Sequence, residues 1–159
     1  MVFPGTNECL TMKSLLDKKV REEVVARIDS LHENCNAQWG KMNMYQMLWH
    51  CSKWDEMMLG RMNAKQMFMG RLFGRWALKK VLKDETPLGR NAPTASELLA
   101  KETTGDVAWQ KAALIKGVNE YEYFNHANPI HPFFGAMTRE QVGQFAYKHL
   151  DHHLRQFGV

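Results

Sequence analysis

Apolar residues recur at helical spacing along most of the chain. In "SLLDKKVREEVVARIDSLHENC" the positions Leu15, Leu16, Val20, Val24, Ile28 and Leu31 define one face, with Ser14 expected as the N-cap. "NMYQMLWHCSKWDEMMLG" predicts a second helix, opened by Asn43 and stopped at Gly60. A third helical stretch covers about 64–83, followed by the turn-rich "DETPLGRNAPTAS". "DVAWQKAALIKGVNEYEYFNH" gives the next helix, with Asp106 as its cap. "ANPIHPFFGAM" reads as a loop because of its prolines and glycine. "TREQ" then has the spacing of a capping box, Thr138 to Gln141, and opens a final helix to about Gln156. No run alternates with period two, so strands are not expected. Four or five amphipathic helices of roughly 17 to 22 residues predict an all-α helical bundle, with an extra or extended helix in the 64–83 region.

At 159 residues the chain is most simply one domain, 1–159, long enough to bury a single core. With 45% apolar and 24% charged residues, it has the balance of a globular protein rather than a disordered one. "MVFPGTNECL" has no signal-peptide pattern, and no apolar run reaches the roughly 18 residues a membrane span needs. A cytoplasmic protein is the expectation. Cys9, Cys35 and Cys51 are odd in number and form no CxxC, which points to reduced thiols rather than a disulfide framework or a zinc knuckle. Cys51 reads as a core thiol.

The net charge of +4 fits anionic partners without naming one. Its distribution says more. Arg61, Lys65, Arg71, Arg75, Lys79, Lys80 and Lys83 lie in one stretch that holds no acidic residue. That stretch reads first as a solvated face, its Met, Phe and Trp residues forming core or a dimer interface on the other side. An anionic membrane surface, a nucleic acid or an acidic partner is the lesser reading.

The histidines carry the candidate chemistry. "KHLDHHLRQFG" holds three within five positions of the last helix. At about 100° per residue, with His149 at zero, His153 falls near +40° and the apolar face of Val142, Ala146 and Leu150 centres near +60°. His149 and His153 are therefore an inward i, i+4 pair. His152 lies at the edge, and Gln156 shares the inner face as a hydrogen-bonding neighbour. His50, between Met47 and Trp54 on an apolar stripe, is the third inward histidine. Three neutral imidazoles with an open position make a catalytic type of metal site, for which zinc, nickel or iron are suitable ions. A hydrogen-bonded cluster of core histidines satisfies the same pattern, so the residues alone leave both readings open. Asp55 and Glu56 follow His50 by about a turn and a half; they read as solvated carboxylates, or as partners for the histidine ligand. His131 in "HPFFG" is placed either at a pocket mouth or in a capping and packing role, with Phe133 and Phe134 closing one end of the bundle.

"WGKMNMYQMLWHC", "HPFFGAMTREQ" and "KHLDHHLRQFG" together resemble the DinB/YfiT-like superfamily, in a branch catalogued as a domain of unknown function. The resemblance spans most of the chain. It implies a four-helix bundle holding a divalent metal on three histidines, often as a homodimer. Residue by residue, the ligands fall on His50, His149 and His153, and the trailing glutamine on Gln156. Zinc or nickel is the first expectation for the ion, with iron or manganese after them. The implied activity is transfer of a low-molecular-weight thiol, such as bacillithiol or mycothiol, to an electrophilic substrate. Metal-dependent hydrolysis and non-catalytic metal binding or sensing are the alternatives.

Overall fold

The computed structural model describes residues 12–159 apart from 33, 64, 91 and 93; Cys9 lies outside the described residues. The described residues form five α-helices: α1 (Lys18–Ser30), α2 (Met44–Met58), α3 (Phe68–Val81), α4 (Val107–Glu120) and α5 (Arg139–Gln156). Four of them form an all-α bundle in which α4 packs on α1 and α2, and α5 packs on the same two helices. The buried residues Val24, Ile28, Met47, Leu48, Trp54, Met58, Leu114, Leu150 and Leu154 meet between them. Each such side chain contributes about 1.5–3 kcal/mol by leaving water.

Three helix starts follow from local chemistry. Asn43 and Thr138 each accept a hydrogen bond from the third helical residue, and Gln46 and Gln141 reciprocate to the cap backbone, completing two capping boxes. The Asp106 side chain accepts from the Trp109 N–H. The start of α1 differs from the sequence expectation. Its N-cap is Asp17, whose carboxylate accepts from the Lys19 and Val20 N–H groups. Ser14 instead opens a turn that tucks Leu15 against α5, where its N–H donates to the Gly143 carbonyl at 3.0 Å. At the end of α2, Gly60 supplies the positive φ of +80° that the stop requires.

The segment expected to be a loop contains the only pairing of strands among the described residues. β1 (Ile130–His131) and β2 (Gly135–Ala136) form a two-residue antiparallel hairpin. No alternation signals it because two residues are too few to alternate. α3 lies on this hairpin rather than inside the bundle. From α5, the Lys148 ammonium reaches the end of α3 and donates to the Val81 and Asp84 carbonyls at 2.8 and 2.7 Å, satisfying acceptors the helix end leaves open. Among the described residues no helix is long and apolar enough to cross a membrane.

Candidate metal centre

His50 lies in the middle of α2, and His149 and His153 occupy successive turns of α5. Helix pairing brings the three together. Their ring centroids lie 4.8 to 5.0 Å apart, and one potential ligand atom from each falls within 4.8 Å of the other two. All three side chains are buried.

Neighbours outside the cluster decide where the protons sit. The short 3₁₀ turn Ser96–Leu98 ends with the Leu98 carbonyl 2.8 Å from His50 Nδ1. A carbonyl only accepts, so Nδ1 carries the proton and Nε2 is left with its lone pair. His50 Nε2 in turn lies 2.9 Å from His149 Nε2. A second chain of contacts orients His153. The Gln156 amide donates through Nε2 to the Trp39 carbonyl at 2.7 Å, which turns its Oε1 to His153 Nδ1 at 2.9 Å. His153 Nδ1 is therefore the donor, and its Nε2 also keeps a lone pair.

Burial reinforces this arrangement by opposing protonation. Loss of water pushes His153 down to about 3 and His149 well below the ordinary histidine range, the other histidines adding to both effects. His50 is lowered mainly by the same loss of water. Neutral imidazoles are the form that binds metal. His149 Nδ1 is buried without a hydrogen-bond partner, a cost of about 1–3 kcal/mol. Three buried neutral imidazoles with ligand atoms within 4.8 Å of one another, two of them with Nδ1 engaged and Nε2 free, lie close enough to bind a metal ion.

A family model described as "protein of unknown function (DUF1569)" matches residues 11–158. The chain belongs to that family. No curated protein and no solved structure matches it.

The other candidates of this DUF1569 chain lie around the triad in different roles. His152 is half-buried at the side, edge-on to Trp39 with centroids 5.8 Å apart, and does not join the cluster. His131 has turned its Nδ1 to the Phe133 and Phe134 N–H groups, both at 3.1 Å, and stacks on the Phe134 ring at 4.5 Å. It closes the hairpin turn and packs against Phe145 at 5.6 Å. Burial lowers its pKa to about 4, so it acts there as a neutral acceptor.

Asp55 corrects the sequence reading more sharply. It is buried, not solvated, and its hydrogen bond runs to α4's end rather than to a histidine: Tyr121 donates to its Oδ1 at 2.8 Å. Its Oδ2 is buried without a partner. Loss of water raises its pKa to about 7, against the lowering effects of the Tyr121 hydrogen bond and Arg61. Cys51 is a fully buried thiol pushed up by burial, consistent with a packing role. Leu98 meets His50, and Trp39 meets Gln156, through backbone carbonyls, which no residue type announces in a sequence.

Proposed function

We infer that this chain is a divalent-metal-dependent enzyme of the DinB-like type, which transfers a low-molecular-weight thiol to an electrophile at the His50/His149/His153 centre. The observation that carries the reading is the pair of Nδ1–H bonds, His50 to Leu98 and His153 to Gln156, which leave both Nε2 lone pairs free in a cluster whose potential ligand atoms lie within 4.8 Å of one another. A nitrogen-only donor set suits zinc or nickel first, then iron or manganese. Bound there, such an ion supplies Lewis acidity, which lowers the pKa of a thiol or water brought to it and makes a nucleophile available at neutral pH.

The chain's own residues do the rest by position. Leu98 and Gln156 fix the ring planes and tautomers, so that little reorganisation is needed when substrate arrives. Trp54 and Phe145 pack on His149, at centroid distances of 4.9 and 6.2 Å, and keep water from that side of the site. Leu98, whose carbonyl meets His50, also lines a cleft of about 540 Å³ together with Met57, Met62, Lys65, Ser96 and Pro132; none of the three histidines lines it. Among the described residues no carboxylate joins the histidine cluster.

The test is metal content by elemental mass spectrometry on protein purified without a histidine tag, followed by a thiol-consumption assay. About one divalent ion per chain is expected in wild type and in His152→Ala, and none in His50→Ala, His149→Ala or His153→Ala. The metal-loaded wild type should then consume a free thiol in the presence of an epoxide or alkyl halide. Wild type that takes up no zinc, nickel, iron or manganese overturns the metal site. Stoichiometric metal without thiol consumption overturns thiol transfer and leaves a metal-dependent hydrolase or a non-catalytic metal-binding or sensing bundle.

A further inference from the structure

The bundle leaves an apolar face of α3 uncovered beside its cations. The inner positions of this helix are Gly70, Gly74 and Leu78. The two glycines let the helix rest on the Phe133 carbonyl, where an added Cβ would come within 2.3 and 2.1 Å of the oxygen. On the outer side Phe68, Leu72 and Trp76, spaced four apart, are 73%, 61% and 67% exposed, and Met69 and Phe73 are about half exposed at 51% and 52%. A stripe of this size at helical spacing is normally the buried one. Here it faces out.

Cations frame the stripe. Arg71 and Arg75 lie along one edge and Lys80 along the other, its ammonium 5.4 Å from the Trp76 ring centroid. Lys79 and Lys83 continue the outer face beyond the apolar residues, and all five cations are exposed. No acidic residue occurs between Arg61 and Lys83.

We propose that the outer face of α3 is a docking surface for an anionic lipid bilayer, on which the helix lies in the plane of the headgroups. A second copy of the chain covers the apolar stripe but brings five more cations to a segment with no acid to pair them. A nucleic acid pairs the cations but leaves Phe68 and Leu72 in water. An anionic bilayer meets both requirements: lipid phosphates pair the Arg and Lys side chains, and the acyl boundary takes up Phe68, Leu72 and Trp76. A helix of 14 residues spans only about 21 Å, so it lies on the surface rather than crossing.

The experiment is vesicle flotation of the full chain at low salt, with phosphatidylglycerol/phosphatidylcholine vesicles compared with pure phosphatidylcholine. Two double variants accompany wild type: Phe68→Ser with Trp76→Ser, and Arg71→Glu with Arg75→Glu. All four positions are exposed, and thermal melting checks that each variant folds. Wild type is expected to float with the anionic vesicles and to bind neutral ones at least about tenfold more weakly. Each double variant should lose about tenfold or more, since one basic residue near the surface is worth roughly fivefold in affinity. Absence of flotation with anionic vesicles overturns the proposal, as does full binding by the folded Arg71→Glu/Arg75→Glu variant. A wild-type dimer that the Phe68→Ser/Trp76→Ser variant splits also overturns it, by showing that a second copy covers the face. So does tight binding of a duplex oligonucleotide where vesicles fail.

Discussion

His50 Nε2 and His149 Nε2 lie 2.9 Å apart, although 99 positions separate the two residues in the chain. Both are held there by the packing of α2 on α5 and not by any local motif. Two imidazole nitrogens at this distance share one proton or one cation, since two lone pairs facing each other repel. The Leu98 carbonyl has already committed His50 Nε2 to a lone pair. His149 is thus either the donor to His50 or a second ligand beside it.

The second alternative predicts coupling between metal and stability, because a bound ion holds α2 and α5 together. Free ion at about a hundredfold over its dissociation constant stabilises the folded chain by about 2.7 kcal/mol. For a chain of this length that corresponds to roughly 5–10 °C in Tm. Adding a chelator to metal-loaded protein should lower Tm by this amount in a calorimetric scan. His149→Ala should melt at one temperature with or without the chelator.

Gln156 offers a finer test, because it touches no proposed metal position. Its amide bridges the Trp39 carbonyl and His153 Nδ1. Gln156→Leu removes the acceptor that fixes the His153 tautomer while keeping most of the side-chain volume. Metal affinity is expected to fall by about 10- to 100-fold, measured by competition with a chromogenic chelator. Unchanged affinity would show that ring packing alone orients His153.

Asp55 predicts a pH dependence whose sign runs against the usual carboxylate. Its folded pKa is raised from 3.8 to about 7 by burial. The native state then retains a proton that the unfolded chain releases, so the stability Asp55 contributes is full below about pH 4. It is lost as pH rises through about 7. A rise of this size corresponds to at most about 4 kcal/mol. The buried histidines act in the opposite sense: their depressed pKa values cost stability as pH falls below the ordinary histidine range. Urea titrations of wild type and Asp55→Asn between pH 4 and 8 separate the two. Wild type should lose stability relative to Asp55→Asn across this range. Parallel curves would place the Asp55 proton elsewhere.

Much of this was legible in the residues, for identifiable reasons. Asn43, Asp106 and Thr138 act as caps through their own side chains on the next turn, so their role is written within four residues. The inward setting of His50, His149 and His153 follows from helical period and apolar neighbours alone. What was hidden depends on partners distant in sequence. Asp55 reads as a solvated carboxylate because its partner Tyr121 lies 66 positions away. Asp17 displaces Ser14 as the α1 cap because Leu15 docks on Gly143 of the last helix, a contact no local pattern encodes. The aromatic residues of α3 read as core because their spacing is that of a core stripe. Two glycines, by letting the helix approach a carbonyl, turned that stripe outward.

Those glycines lead to a prediction about cooperativity. At Gly74 an added Cβ would lie 2.1 Å from the Phe133 carbonyl oxygen and 3.0 Å from the Phe134 Cα, both of them backbone atoms that cannot swing aside. Gly74→Ala must therefore lift α3 from the hairpin or displace the hairpin itself, at about 1–3 kcal/mol. Because α3 rests on β2 and not within the four-helix core, the loss should remain local. Hydrogen exchange is expected to speed up across Phe68–Val81 while the amides of α2 and α5 keep their protection. Gly89, with no atom near its Cβ position, is the control, and Gly89→Ala should leave exchange unchanged. Faster exchange throughout α2 and α5 in Gly74→Ala would mean that α3 folds as one unit with the histidine cluster. In that case whatever engages its outer face would also bear on the histidines.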